Sequence, residues 1–459
     1  MNNLTTEFIE CLCPICRTES DSDSGYSSRA FIDPHSCLST AESLSDSLGF
    51  CSKHAEILLA QDHLSEKVAM VILAAIARLE PVFNERFRRE PQIQQLLFGA
   101  DHACPACSNS NRYVGRHVAR LARKFGGSSE PDRHSGFSTC CVRHFQMVAE
   151  NLEPEHRRDT LTRYIYRLSD IARKIIKPRR QAIDDNAWFS QDAATNLNHA
   201  LRILGCNRSG SVALHASLVD ALIQYQSFDE AISSPAICPI CLEAERGRQR
   251  WLRNVLAAAN FNQDTWLYFP ICPTHMGMVF EIGNPELTAA VSSHALAIRL
   301  KFLRQQIRLL IQTDELKDEE ARLKAEGFEV WAAHKRKQAL QKVKSQKTPL
   351  PRLERCPGCE WIEITSEWAE NRLLNMLEIK RNRNLFAAGY GLCMKHFARV
   401  YRIAPKGIIR SMLSEDQQSK LTKLSLSLME VVPEMSERQP NQPNSTAWKA
   451  ALHRFSDFM

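Results

Sequence analysis

Cysteine and histidine recur along this chain in one pattern: Cys-Pro-x-Cys, a gap of 30–34 residues, and then Cys-x-x-His. Thiolate and imidazole donors at short fixed spacings are the ligands that zinc prefers at tetrahedral protein sites. Three cysteines and one histidine fill all four positions, which is typical of structural zinc and argues against catalysis at the metal. Twelve of the 16 cysteines belong to the pattern. The predicted metal ligands are Cys13, Cys16, Cys51, His54, Cys104, Cys107, Cys141, His144, Cys238, Cys241, Cys272, His275, Cys356, Cys359, Cys393 and His396.

We assign each Cys-Pro-x-Cys knuckle to the Cys-x-x-His that follows it, so Cys13 and Cys16 would share a metal with Cys51 and His54. Applied along the chain, this pairing predicts four zinc ions. Proline after the first cysteine favours a turn in which both sulfurs converge, with a helix beyond it. Cysteine and histidine three residues apart lie on one face of a helix's first turn, where the helix dipole favours a thiolate. Each module is thus predicted to be a knuckle and a helix start held by one ion.

Other chemistries match parts of this pattern. An iron–sulfur cluster is also held by cysteine and histidine, and it stays as an alternative cofactor. A thioredoxin-like redox pair needs a βαβ context, which the sequence does not indicate. His54-Ala55-Glu56 resembles half of a zinc-deaminase motif, but its Pro-Cys-x-x-Cys partner is absent, so we reject that interpretation. The remaining cysteines are expected to be buried small side chains or incidental: Cys11, Cys37, Cys140 and Cys206.

The chain of 459 residues exceeds the size of one hydrophobic core, so two to four domains are expected. Its 17 glycines are few for this length, which disfavours tight hairpins and favours long helices. We predict a mainly α fold of tandem zinc-centred helical modules with little β structure. The predicted segments are module 1 (1–100) with a mobile Ser-rich insertion (18–48), module 2 (101–230) with a helical insertion (153–230), module 3 (231–349) with a charged helix (313–347), module 4 (350–432), and a flexible linker with an amphipathic tail (433–459).

Two predicted helices carry basic faces that would attract a phosphate backbone. Arginine is also a good helix former on solvated surfaces, and no recognised nucleic-acid motif accompanies these residues, so a purely structural role stays open. The candidate nucleic-acid-binding residues are Arg112, Arg116, Arg120 and Arg123 on one helix, and Arg246, Arg250 and Arg253 on the other.

The end of the chain has an amphipathic pattern in which Trp448, Leu452 and Phe455 share one face. A short apolar helix on a polar linker is typical of a peptide that docks into a partner's groove. The same pattern also suits a segment that folds back onto its own domain. Both interpretations stay open from the sequence.

The first residues, Met1 to Glu10, are partly acidic and lack an apolar core, so no secretory signal is expected there. The longest apolar run, Val68 to Ala77, is about half of what a bilayer span requires. We therefore expect a cytoplasmic protein without a membrane partner. In that reducing compartment, cysteines at fixed spacing are more often metal ligands than disulfides. The formal net charge of +7 is modest and indicates no partner class.

The phrases CPIC…GFCSKH (Cys13 to His54) and CPGC…GLCMKH (Cys356 to His396) resemble an uncharacterised group of bacterial cysteine-rich proteins. Members of that group carry a single CPxC…GFCxxH module with leucine-rich helices behind it. The resemblance covers about a third of the chain, and it is weaker in modules 2 and 3, which lack the glycine before the third ligand. It implies a metal-binding helical module and supplies no reaction.

Together these patterns predict a zinc-binding protein that acts as a macromolecular interaction scaffold, with a protein partner preferred and nucleic acid as a second class. Enzymatic activity is the less favoured class, because no serine, paired-carboxylate or phosphate-loop constellation stands out. The alternative function is a metal- or iron–sulfur-dependent enzyme or maturation factor that uses one of the sites.

Overall fold

The computed structural model describes residues 13–84, 103–126, 140–185, 222, 224–260, 271–282, 285–345, 356–437 and 447–457. Within these ranges nearly all regular structure is helical, so the predicted mainly α fold with little β structure is confirmed. The helices are α1 (Pro14–Ala30), α2 (Pro34–Ser47), α3 (Ser52–Leu59), α4 (Ser65–Asn84), α5 (Pro105–Gly126), α6 (Val142–Glu150), α7 (Pro154–Asp185), α8 (Phe228–Ala231), α9 (Pro239–Asn260), α10 (Pro273–Ile282), α11 (Pro285–Ala325), α12 (Glu329–Ser345), α13 (Pro357–Leu377), α14 (Lys380–Ala388), α15 (Met394–Ile403), α16 (Ile408–Glu437) and α17 (Ala447–Arg454). A 3₁₀ turn (Asp62–Leu64) and two short strands, β1 (Phe50–Cys51) and β2 (Ser456–Asp457), complete the described elements.

Each Cys-Pro-x-Cys knuckle forms the start of a long helix. The prolines are the first residues of α1, α5, α9 and α13, a position where the missing N–H has no intrahelical partner in any case. The carbonyl of Cys13 already accepts the helical hydrogen bond from the amide of Arg17, at 3.1 Å. The prediction of a separate turn followed by a helix is therefore wrong in detail. One helical turn brings the two sulfurs of each knuckle together.

Each Cys-x-x-His lies at the beginning of a shorter helix, as predicted. Cys51, Cys141 and Cys393 occupy the N-cap positions of α3, α6 and α15 with extended backbone. Cys272 immediately precedes α10, and its carbonyl accepts from the amide of Met276 at 2.9 Å. The histidine then falls in the same first turn.

The Ser-rich stretch 18–48, predicted as a mobile insertion without helical pattern, is helical. It contains most of α1 and all of α2. The side chain of Asp33 caps α2 by accepting from the amide of Ser36 at 2.8 Å, and Pro34 follows at the first helical position. Leu44 and Leu48 are buried, so the few apolar residues of this stretch provide enough packing to fix it.

The charged segment 313–347, predicted as one helix, is divided between α11 and α12. Gly327 has φ of +82°, and its amide donates to the carbonyl of Lys324 at 3.1 Å. The amide of Phe328 donates to the carbonyl of Leu323 at 2.8 Å. These two bonds form a Schellman motif, which ends α11 and reverses the chain. We call this helical hairpin, residues 313–345, the arm.

The chain divides into two compact units. Among the described residues, the first unit comprises parts of Met1–Thr18, Val114–Arg208 and Trp251–Glu360. In it, α11 packs along both α7 and α12. The part of the predicted 153–230 insertion beyond Asp185 lies almost wholly outside the described residues.

The second unit comprises parts of Glu19–Tyr113, Ser209–Arg250 and Trp361–Met459. Its centre is α4, which packs against α2, α16 and α17. The two strands pair in parallel, with Phe50 opposite Ser456 and Cys51 opposite Asp457. Helix α16 continues to Glu437, so the first residues of the predicted linker (433–459) are helical, while 438–446 lie outside the described ranges.

Within the described ranges, no helix combines the length and apolar character that a bilayer crossing requires.

Candidate metal centres

The sixteen predicted ligands converge into four quartets, but the pairing differs from the prediction. Each quartet combines one Cys-Pro-x-Cys with one Cys-x-x-His, and its ligand atoms lie within 4.8 Å of one another. The quartets are site 1 (Cys13, Cys16, Cys141, His144), site 2 (Cys51, His54, Cys104, Cys107), site 3 (Cys238, Cys241, Cys393, His396) and site 4 (Cys272, His275, Cys356, Cys359). Each quartet offers a ligand set that could hold one metal ion.

The pairing is nested. In each half of the chain, the outer two ligand pairs form one site and the inner two form the other. Our assignment of Cys13 and Cys16 to Cys51 and His54 is therefore wrong, as are its three counterparts. The reason lies in the segment between the pairs. The 17 residues of α1 form a rod of about 25 Å that begins at the knuckle, where a loose insertion was expected.

Sites 1 and 3 are closed, because all four ligand residues of each are buried. In site 1, Nδ1 of His144 lies 3.2 Å from Sγ of Cys16 and 3.3 Å from Sγ of Cys141. In site 3, Nδ1 of His396 lies 3.2 Å from Sγ of Cys241 and 3.3 Å from Sγ of Cys393.

Cys140, left over in the sequence pattern, is buried beside site 1. Its thiol interacts with Cys13, which is a ligand residue of site 1, but Cys140 itself is not a member of the quartet. The quartet contains Cys141 and not Cys140 beside His144. Cys37 is buried in the core of the second unit, while Cys11 and Cys206 lie outside the described residues.

Site 2 is partly open and has a carboxylate behind its histidine. Cys51 and Cys107 are partly exposed, and their sulfurs lie 3.5 Å apart. Nδ1 of His54 faces the sulfurs, while Nε2 lies 3.1 Å from Oδ1 of the buried Asp23. Lys53 pairs with the other oxygen of Asp23 at 2.6 Å. A carboxylate in this position fixes the orientation of a ligand histidine and increases its basicity.

The charged groups around site 2 shift one another's pKa values towards the charged forms. Burial raises the pKa of Asp23, but the hydrogen bonds from His54 and Lys53 outweigh it, so that the pKa is lowered. Burial lowers the pKa of His54, but Asp23 and the thiols of Cys104 and Cys51 raise it to about 11. The site thus favours a positive charge at the imidazole, whether a proton or a metal ion supplies it.

Site 4 is the most accessible quartet. Cys359 is exposed and Cys272 is partly exposed, whereas Cys356 and His275 are buried. Sγ of Cys272 lies 3.8 Å from Sγ of Cys359 and 3.1 Å from Nδ1 of His275. The edge of Trp251 meets the ring of His275 at a centroid distance of 4.9 Å.

A buried arginine stands near thiols of both sites of the first unit. Arg299 on α11 is 9% exposed. Burial lowers its pKa to about 10, opposed by Tyr164 and by the thiols of Cys141, Cys272 and Cys356. With a divalent ion bound, three thiolates would leave a net negative charge, which a buried guanidinium would offset.

The two basic faces predicted from the sequence have different environments. On α5, Arg112, Arg116, Arg120 and Arg123 are exposed, and that helix contains no acidic residue. On α9, by contrast, Arg246 and Arg250 both pair with Glu243, at 2.7 and 2.6 Å, and Arg253 is exposed. The α9 arginines therefore serve at least in part to neutralise their own helix.

The amphipathic tail is folded onto the second unit. Trp448, Leu452 and Phe455 are fully buried in its core. The carbonyl of Phe455 accepts from the amide of Phe50 at 2.7 Å, next to the ligand Cys51. Gly49 has φ of +133°, and a Cβ there would overlap the Phe455 carbonyl, which explains the glycine.

One sequence signal for closed and open sites was missed. The residue between proline and the second cysteine is Ile15 in site 1 and Ile240 in site 3, both fully buried. At the open sites it is Ala106 or Gly358. The closed sites therefore have a large apolar residue at this position, and the open sites have a small one.

Comparisons with protein-family profiles, with curated proteins and with solved structures give no match to this chain. The resemblance to bacterial cysteine-rich proteins therefore rests on the motif alone, and the quartet geometry is the basis for any functional proposal.

Proposed function

We propose that this chain is a zinc-binding protein in which four Cys₃His sites organise a helical scaffold for macromolecular interaction. The observation that carries the proposal is the convergence of all sixteen ligands into complete quartets. Tetrahedral Zn–S bonds of about 2.3 Å place the sulfurs about 3.8 Å apart. The Sγ–Sγ distances are 3.6 Å in site 1, 3.5 Å in site 2 and 3.8 Å in sites 3 and 4, which suits a single zinc ion better than a multi-iron cluster.

Metal analysis with an absorption spectrum tests this proposal. Protein purified without added metal is expected to be colourless and to contain about four zinc ions per chain. Broad visible absorption together with iron would contradict zinc and favour the iron–sulfur alternative. Fewer than three metals of any kind would contradict the four-site assignment.

The arm supports a protein partner. At its tip Phe328, Val330 and Trp331 are 53%, 82% and 63% exposed, which is unusual for three large apolar side chains so close in sequence. Arg336 and Lys337 follow on the exposed surface of α12. An aromatic anchor beside basic side chains fits a partner with an apolar pocket and an acidic rim.

Cross-linking in cells tests the arm. Phe328→Ser with Trp331→Ser should abolish the cross-links that the wild type forms through this unit. Tyr166→Ser is the matched control, because Tyr166 is 72% exposed on α7 of the same unit. Identical cross-linked partners for the arm variant and the wild type would reject the arm as the docking element.

The exposed arginines of α5, a helix without an acidic residue of its own, favour nucleic acid as a second candidate partner. A labelled single-stranded RNA in a fluorescence-anisotropy titration provides the test. Changing Arg112, Arg116 and Arg120 to Ala should weaken binding and lower the salt slope by about two, since each phosphate contact contributes about 0.7. Unchanged binding would remove this role from α5.

The control for that experiment is a triple variant on α7 with the same change in charge: Arg158, Arg163 and Arg173 to Ala. These arginines are exposed, and two of them pair with Asp159 and Asp170 on the same helix. An equal loss of binding in both variants would mean that net charge, and not the α5 face, controls RNA retention.

A further inference from the structure

Site 4 differs from the other quartets in how its ligands face solvent. Cys359 is exposed, whereas every ligand residue of sites 1 and 3 is buried. Exchange of a metal ligand requires an incoming donor to approach the ion. At site 4 that approach needs no opening of the fold, and at sites 1 and 3 it does.

The local backbone explains this exposure. Residue 358, between the two knuckle cysteines, is glycine, and a Cβ there would lie 2.7 Å from Cδ2 of His275. The knuckle backbone therefore lies directly against the histidine ring, with no side chain to cover it. In the closed sites, Ile15 and Ile240 fill the equivalent position and are fully buried.

The histidine of site 4 also lacks the support found in site 2. Nε2 of His275 is buried and has no hydrogen-bond partner among the described residues, and the same is true of Nε2 of His396 at closed site 3. In site 2 the same atom of His54 bonds Asp23 at 3.1 Å. Outer partners of this kind typically account for 10–100-fold in metal affinity. Site 4 thus combines an exposed sulfur, which distinguishes it from sites 1 and 3, with an imidazole that is held less firmly than the one in open site 2.

We propose that site 4 is a metal-exchange site, which gives its ion to thiolate donors and takes it back, while sites 1 and 3 keep theirs as part of the fold. This inference rests on the proposed zinc binding. In the exchange, the sulfur of an incoming thiol bonds to the ion from the solvent side, the bond to Sγ of Cys359 breaks, and the proton of the thiol passes to Cys359. Further donors of the acceptor replace Cys272, Cys356 and His275 in turn, so that the ion leaves with the acceptor. No atom changes oxidation state, and no further reactant is required.

Zinc transfer from the full-length, zinc-loaded protein tests this site. One arm uses dithiothreitol as acceptor, and the other uses a metal-free Cys₃His peptide. We expect one zinc of four to leave in a fast phase whose rate rises in proportion to acceptor concentration. A fast phase with dithiothreitol alone identifies small thiols as the acceptor class, and one with the peptide alone identifies protein thiolates. Equal release of all four ions, or rates independent of acceptor concentration, would overturn the proposal.

The fast phase is assigned to its site by substitution. Cys359→Ser should remove it and leave three slowly released ions, while Cys37→Ser, at a buried cysteine outside the quartets, should keep it. If Cys359→Ser does not fold, the site that releases its ion in the fast phase is identified instead by alkylating the cysteines of the wild type after that phase. Iodoacetamide should then label Cys359 and Cys272 first, and early labelling of Cys393 would overturn the assignment. The zinc content before mixing is measured separately, so a protein with fewer than three ions fails the proposed function and not this inference.

Discussion

Closed and open quartets use the same ligands at the same spacing, yet they hold them in different surroundings. Sites 1 and 3 bury all four ligands, and sites 2 and 4 expose sulfur. Each compact unit contains one closed and one open site: sites 1 and 4 in the first unit, sites 3 and 2 in the second. The ligand motif therefore determines what can bind, while the neighbouring side chains determine whether solvent reaches it.

The largest difference in stability is expected between a variant that lacks one ligand of a closed site and a variant that lacks one ligand of an open site. Cys393→Ser at closed site 3 should unfold the second unit, because structural zinc contributes about 10–16 kcal/mol in small peptides and whole proteins have about 5–15 kcal/mol of net stability. Cys359→Ser at open site 4 should leave the protein folded with a smaller shift in melting temperature. Calorimetry of both purified variants provides the measurement. Similar melting temperatures for the two would remove the distinction between the classes.

A smaller loss of stability is expected when a buried side chain of the tail is truncated. The strand β2 of this tail pairs with β1 beside open site 2. Phe455→Ala should destabilise the second unit by about 3–5 kcal/mol, the usual cost of truncating a fully buried phenylalanine. Metal release from site 2 should become faster, since β2 no longer holds the strand that contains Cys51. Denaturant unfolding and chelator kinetics check the two effects.

Glycine substitutions provide the matched control for the tail. Gly49→Ala should resemble Phe455→Ala, because Gly49 has φ of +133° and its Cβ would meet the Phe455 carbonyl. Gly115→Ala on α5 has no heavy atom within 4 Å and should stabilise by about 0.5–1 kcal/mol. If Gly115→Ala lost stability and Gly49→Ala did not, this account of the tail would be contradicted.

The two open sites should become more alike when Asp23 is changed. Asp23→Asn removes the carboxylate behind His54, so zinc affinity at site 2 should fall by about 10–100-fold. Competition with a chelator of known affinity measures the change. Asp21→Asn, at an exposed position on the same helix, is expected to have no effect. Equal affinities in the two variants would show that Asp23 does not support the site.

The smallest effect is a pH dependence confined to the second unit. Burial lowers the pKa of His453 on α17 to about 4, compared with about 6.5 in unfolded chains. The folded state therefore disfavours the protonated imidazole. The resulting stability is complete above pH 6.5 and is lost as pH falls towards 4, with a loss of about 1.4 kcal/mol at pH 5.5. His453→Gln should flatten the difference between melting curves at pH 7 and pH 5.5, and an unchanged difference would contradict the assignment.

The sequence was sufficient for the helical class, which the scarcity of glycine indicates. The short spacing within each cysteine pair also named the sixteen residues that the structure gathers into quartets. The sequence was insufficient for the pairing, since any Cys-Pro-x-Cys is chemically equivalent to any other as a partner for His54. The helical state of 18–48 was missed because its buried face is built largely from small side chains such as Ser22 and Ser27. The arginines of α9 looked like those of α5, since only the fold shows that Glu243 neutralises two of them.

The nested pairing is the central claim, and metal counts in double variants test it most directly. Cys51→Ser with Cys107→Ser removes two ligands of one site in this structure, so native mass spectrometry in the presence of a weak chelator should find three zinc ions per chain. Cys272→Ser with Cys359→Ser should give the same result, and Cys51→Ser with Cys359→Ser should leave two ions. Two ions in all three variants would show that each knuckle pairs with the Cys-x-x-His that follows it, and would contradict the structure.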